Sequence, residues 1–293
     1  MTDVFAKYVA PARAKPQLWR LILGLGVIGI CWITTTFGLL LGGQIMMSGD
    51  GILAASHEIQ DGTTPFGMAV LLLTFSGLLI GSVLAALLLH QRGLRSLTGP
   101  FRPFLADFLK VLVPVALFYV LLMAGWHVMF DPVPNLEFRI WIVMVPIGLA
   151  GVALQTLAEE LAFRGYLMQQ LAARFRSPVI WMGVPTLSFG LLHFTSQAGL
   201  TIGLLIVLAT GTFGYVAADL TRRRGNLGAA WALHLINNSF AILFLATAGN
   251  LPGLALWLTP YGMDTPGILA ITLITDIIAL VAAWRISLWA LGR

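Results

Sequence analysis

IWIVMVPIGLAGVALQTLAEELAFR, residues 140–164, decides how this chain is read. No charged residue occurs from Ile140 to Ala158, and Glu159, Glu160 and Arg164 then follow without a break. About 20 mostly apolar residues are enough to cross a bilayer core. The stretch therefore reads as a spanning helix over 140–158 that carries its helical pattern on into EELAFR. Glu160 and Arg164 are four apart and share a face, with the acid on the N-terminal side, the better pairing order. Glu159 is turned about 100° from Glu160, at 3.6 residues per turn. On this geometry Arg164 neutralises Glu160 and leaves Glu159 free to face a cavity and act as a base. The plain alternative is an ordinary cytoplasmic helix end with a salt bridge.

The rest of the chain repeats the apolar pattern. Of its 293 residues 58% are hydrophobic and only 10% charged, against about 25% charged in a soluble domain. The excess apolar surface has to face lipid. Spans are expected at roughly 21–43, 67–89, 108–129, 140–158, 179–195, 199–218, 228–249 and 267–288. The fold class is therefore all-α, a polytopic membrane protein of about eight transmembrane helices. Residues 1–293 form a single integral membrane domain, in which 140–250 carries the chemistry-bearing motifs and 1–139 adds N-terminal spans. Gly165–Phe175 (GYLMQQLAARF) is amphipathic and could lie in the interface. The first apolar stretch is too long for a signal h-region and reads as an uncleaved span.

Charge placement checks the count independently. Sixteen of the 17 basic residues fall at one set of span ends, and only Arg139 falls at the other. The opposite loops hold Asp50, Glu58, Asp61, Asp131, Glu137 and Asp264. The positive-inside rule puts the N- and C-termini in the cytoplasm of a multi-pass inner or plasma membrane protein. The net charge of +5 is dispersed in these short clusters, so it speaks for topology and not for nucleic acid. A lone cysteine, Cys31, excludes a disulfide framework and a Cys-based zinc site. There is no tandem repeat and no pair of broken helices of the inverted-repeat transporter kind.

Ionisable groups inside spans are costly and mark function by default. Besides Glu159, Glu160 and Arg164 two more groups qualify. Phe189–His193 (FGLLH) sets a histidine on the apolar fifth span. His234–Asn238 (HLINN) sets a histidine and an asparagine four apart on one face of the seventh, with Asn237 at its edge. Taken singly, each could be polar glue between helices. Together, a carboxylate, two histidines and an amide suit water activation and oxyanion stabilisation.

These three motifs, EExxxR at Glu159–Arg164, FxxxH at Phe189–His193 and HxxxN at His234–Asn238, resemble in order and spacing those of the CAAX prenyl protease and bacteriocin-processing (Abi) family of intramembrane endopeptidases. The resemblance covers about 140–250. It implies a membrane endopeptidase whose cavity opens to the cytoplasm and whose partners are a peptide or protein substrate, possibly lipidated, and the bilayer. It implies that Glu159 and His193 activate water, that His234 and Asn238 bind the oxyanion, and that Glu160 and Arg164 support them, with no cofactor. Two rivals remain. Glu159, His193 and His234 could instead hold zinc, although there is no HExxH. Alternatively the chain is a non-proteolytic transporter, scaffold or immunity protein of the same fold.

Straight helices pose a difficulty. His193 stands about 21 Å along the fifth span and His234 about 15 Å along the seventh, at 1.5 Å per residue, while Glu159 closes the fourth. Pro185 is expected to kink the fifth span, or Ser177–Pro185 to lie in the interface. Asp276, mid-span in the last helix, is expected to hydrogen-bond a neighbouring Thr or Ser. His90 and Trp181 are expected at the interface.

Overall fold

A computed structural model describes residues 3–47 and 58–292; Asp50 lies outside them. The short helices α1 (Asp3–Val9) and α4 (Leu94–Thr98) flank the long α2 (Leu18–Met47) and α3 (Pro65–His90). The bundle continues with α5 (Phe101–Met129) and α6 (Phe138–Glu160). A π-helical turn, Leu161–Met168, leads from α6 into α7 (Gln169–Arg174). Then come α8 (Pro178–Trp181), α9 (Gly183–Leu192), α10 (Leu200–Arg224), α11 (Gly228–Ser239) and α12 (Pro266–Ala290). The chain is an all-α multi-pass membrane protein. Among the described residues six helices are long and apolar enough to cross a membrane, Leu18–Met46, Pro65–His90, Phe101–Met129, Phe138–Arg174, Leu200–Arg224 and Pro266–Ala290. Two shorter apolar segments, Pro178–Leu192 and Gly228–Phe244, occupy the places of the expected fifth and seventh spans.

The expected boundaries change at three places. The fourth span does not stop near Ala158. It runs unbroken to Arg174, and Tyr166–Ala172 is buried, so this segment is not an interfacial helix. The fifth span is broken at Met182, three residues before Pro185, into α8 and α9. Proline has no N–H to return to the carbonyl four residues back, here that of Trp181, so the helix has to restart there. The seventh span ends at Phe244. Leu245–Ala248 is instead β2, parallel to β3 (Trp257–Gly262), which pairs antiparallel with β1 (Val133–Pro134) in the order β1-β3-β2. The sheet satisfies backbone groups of the connecting loops at that end.

The opposite end gathers the basic segments. Arg224 forks onto Asp107 at 2.6 and 2.9 Å, Arg92 donates to Gln169 at 2.7 Å, and Arg20 donates to the Leu89 carbonyl at 2.6 Å. His90 is buried and not interfacial, held between the Lys15 carbonyl (3.0 Å) and the Tyr166 hydroxyl (2.9 Å). Trp181 is likewise 2% exposed, packed on Phe5 of α1. At Gly190 a Cβ would meet the Val207 carbonyl at 2.8 Å. Its absence lets α9 lie directly on α10, which sets the height of His193.

Candidate active site

The unbroken α6–α7 rod removes the depth difficulty. Glu159 stands 15 residues before Arg174, about 22 Å along the helix at 1.5 Å per residue, which is the depth expected for His193. Glu159 is 6%, Glu160 0%, Arg164 1% and His234 2% exposed. Burial of this degree is tolerated only when charges are paired and hydrogen-bonded.

Glu160 is the hub. Its Oε1 accepts from Arg164 Nη1 at 2.9 Å, the i,i+4 pair expected from the spacing, and lies 2.9 Å from His234 Nδ1. Arg164 also donates Nη2 to the Gly214 carbonyl at 3.2 Å. The other imidazole nitrogen, His234 Nε2, lies 3.3 Å from Glu159 Oε2. His234 is thus wedged between the two carboxylates, one on each nitrogen. Arg164 neutralises the Glu160 side and leaves Glu159 without a cation of its own. Gln155 donates to Glu159 Oε2 at 2.8 Å, and Asn238 donates to Gln155 Oε1 at 3.0 Å. Five motif residues therefore fall into two hydrogen-bonded groups, Arg164–Glu160–His234 and Glu159–Gln155–Asn238, that meet at the 3.3 Å contact of His234 with Glu159.

His193 stands beside these groups and caps the C-terminus of α9. Its Nδ1 bonds the Phe189 carbonyl at 2.8 Å. A carbonyl only accepts, so Nδ1 carries the proton and Nε2 of the neutral ring keeps a free lone pair. Among the described residues no hydrogen bond joins His193 directly to Glu159 or His234. The junction is the Phe189 ring, 4.7 Å from the His193 ring, 6.0 Å from the His234 ring and 4.7 Å from the Arg164 guanidinium. Phe163 and Phe213 complete an aromatic wall around Arg164, at 5.9 and 5.4 Å. The motif phenylalanine is thus the contact through which the fifth segment meets the other two.

Gln155 was missed in the sequence, although its spacing of four from Glu159 was a usable signal. Tyr119, which donates to Asn237 at 2.6 Å, and Phe213, whose ring is 4.3 Å from that of His234, carried no local signal. Asp276 does not make the expected bond. Thr272 bonds the Tyr261 hydroxyl and the Ile268 carbonyl, and Thr275 bonds the Ile271 carbonyl, so neither is paired with Asp276. Among the described residues no group of three or more His, Cys, Asp and Glu side chains is placed to hold a metal. Of Glu159, His193 and His234, the first and last lie side by side, Oε2 to Nε2 at 3.3 Å, while His193 holds the Phe189 carbonyl through Nδ1.

Residues 141–240 match the family of Rce1-like type II CAAX prenyl endopeptidases. The matched third of the chain contains Glu159, Glu160, Arg164, His193, His234 and Asn238, and it agrees with the family resemblance of the three motifs. The uncharacterized protein YyaK of Bacillus subtilis (strain 168) is 29% identical over 119 residues, 41% of this chain. That match covers 39% of YyaK's own length. No solved structure matches the chain.

Proposed function

We propose that this protein is an intramembrane endopeptidase that hydrolyses a peptide bond of a membrane-associated or lipidated substrate with water activated by Glu159. The observation that carries the reading is the asymmetric pair of buried carboxylates on His234: Glu160 is neutralised by Arg164 at 2.9 Å, and Glu159 is not. One acid is structural, and the other is free to take a proton.

Glu159 draws a proton from water as its oxygen attacks the scissile carbonyl carbon, and the lone pair of His193 Nε2 supplies a second base. Asn238 is assigned to the oxygen that gains charge, and His234 joins it when its Nε2 turns from Glu159 as that carboxylate takes the proton. Collapse of the tetrahedral intermediate breaks the C–N bond, and the proton held by the enzyme passes to the leaving amine. The family match over residues 141–240 supports peptide hydrolysis and a prenylated CAAX substrate class. The one-sided distribution of 16 of 17 basic residues supports eight crossings and cytoplasmic termini, and the family resemblance implies a cavity open to the cytoplasm.

The experiment compares wild type with Glu159→Ala and His193→Ala on internally quenched peptides ending in a prenylated CAAX sequence. Peptidomics of a deletion strain complemented with each variant supplies the unbiased arm. Cleavage by wild type and its loss in both variants is expected. Cleavage by Glu159→Ala at the wild-type rate would overturn the reading in favour of a non-proteolytic membrane protein.

A further inference from the structure

Four hydrogen bonds run head to tail from α5 through α11 to α6. Tyr119 Oη donates to Asn237 Oδ1 at 2.6 Å, and Asn237 Nδ2 donates to Asn238 Oδ1 at 3.1 Å. Asn238 Nδ2 donates to Gln155 Oε1 at 3.0 Å, and Gln155 Nε2 donates to Glu159 Oε2 at 2.8 Å. We propose that Gln155, oriented from Tyr119 through Asn237 and Asn238, is a positioning residue that ties the Glu159 carboxylate to the Asn238 amide. This rests on the reading of Glu159 and Asn238 as base and oxyanion donor, and it adds what holds them in register.

Direction is what makes the chain informative. An ionised carboxylate only accepts, so Gln155 has to present its NH2 to Glu159 and its carbonyl to Asn238. That choice fixes Asn238, which in turn fixes Asn237. Tyr119, whose hydroxyl oxygen can donate or accept through the same atom, ends the chain as a donor. Every amide orientation follows from the acceptor at the far end. Asn238 spends its carbonyl on Asn237 and one N–H on Gln155. What remains for a substrate is a single N–H, the group that a developing oxyanion requires. Gln155 lies one turn before Glu159 on α6 and is 7% exposed, so its amide holds the carboxylate through Oε2 from within the protein.

Polar glue between α6 and α11 would account for the Gln155–Asn238 bond alone. It would not make the state of Gln155 depend on a hydroxyl three bonds away, nor lower turnover at constant affinity. Full-length protein in detergent, labelled with 15N-glutamine, separates the two. The Gln155 carboxamide signal is identified by its disappearance in Gln155→Met, a change of similar volume. Tyr119→Phe, which removes one oxygen, is expected to shift that signal. On the quenched prenylated CAAX peptide, Gln155→Met is expected to lower kcat roughly 10–100-fold with little change in KM, the cost of slight misplacement of reacting groups. An unmoved signal in Tyr119→Phe, or wild-type kcat in folded Gln155→Met, overturns the inference. Glu159→Ala run beside them keeps the two ideas apart: if it cleaves normally, the catalytic reading fails, whereas an inactive Glu159→Ala beside a fully active Gln155→Met sinks only the positioning role.

Discussion

His234 Nδ1 lies 2.9 Å from Glu160 Oε1, the same oxygen that accepts from Arg164. Glu160 therefore holds together two helices and the guanidinium beneath them. Removing one partner of a buried pair leaves the other charge uncompensated, which costs about 3–5 kcal/mol. Glu160→Ala is expected to lose that much stability and to free the His234 ring, with activity falling as a consequence of the fold. Glu160→Gln keeps the shape and an acceptor oxygen, so it should be the milder change. Thermal unfolding in detergent ranks the two; equal unfolding temperatures for wild type and Glu160→Ala would contradict the hub role.

Phe189 bridges His193, His234 and Arg164, with ring-centroid distances to the two histidines of 4.7 and 6.0 Å. Phe189→Ala opens a cavity at that junction, at a cost of about 3–5 kcal/mol. It also lets α9 drift against α11. Phe189→Leu refills most of the volume without the ring faces, so stability should largely return while peptide cleavage stays low. Cleavage that recovers in step with stability would show that Phe189 only fills space.

Local spacing accounts for what was legible. Glu160–Arg164 and the shared face of His234 and Asn238 are i,i+4 relations, and such relations survive without knowledge of tertiary contacts. The misplaced part was where α6 ends. Gly165–Phe175 is polar enough to resemble an interfacial helix, yet Gln169 and Gln170 are buried, and Gln169 is satisfied by Arg92 and the Ser96 carbonyl. Those partners lie more than 70 residues away, so no window of sequence contains them. The same holds for Tyr119, which meets Asn237 across 118 positions, and for β2, whose apolar LATA prolongs the span pattern until β3 claims its backbone.

Gly228 opens α11, six residues before His234, and a Cβ there would lie 2.0 Å from the Phe104 carbonyl oxygen. Backbone cannot yield as a flexible side chain can. Overpacking of a close-packed interior costs about 1–3 kcal/mol, and Gly228→Ala should fall at or beyond the upper end. The displaced helix carries His234 and Asn238 away from Glu159, so cleavage should fall further than stability accounts for. Gly267→Ala, where a Cβ meets nothing within 4 Å, is the matched control. A Gly228→Ala protein with wild-type unfolding temperature and turnover would refute the close approach of α5 and α11.

Metal removal discriminates between the two hydrolytic readings of the same residues. Zinc takes three protein ligands plus water at a catalytic site, with His nitrogens and carboxylate oxygens near 2.0–2.2 Å. His234 Nε2 and Glu159 Oε2 lie 3.3 Å apart, an edge that two such ligands could span with Glu160 kept on Nδ1 at 2.9 Å, so the zinc reading turns on the third ligand. His193 would have to turn its Nε2 to the same point from beyond the Phe189 ring. That third ligand would have to come from a ring held on the Phe189 carbonyl and packed against the Phe189 side chain. Purified protein is therefore expected to carry no stoichiometric zinc and to keep its cleavage rate after chelation by a phenanthroline. Loss of activity on chelation, restored by zinc and not by magnesium, would show that the site rearranges around a metal and would reassign Glu159 from general base to ligand.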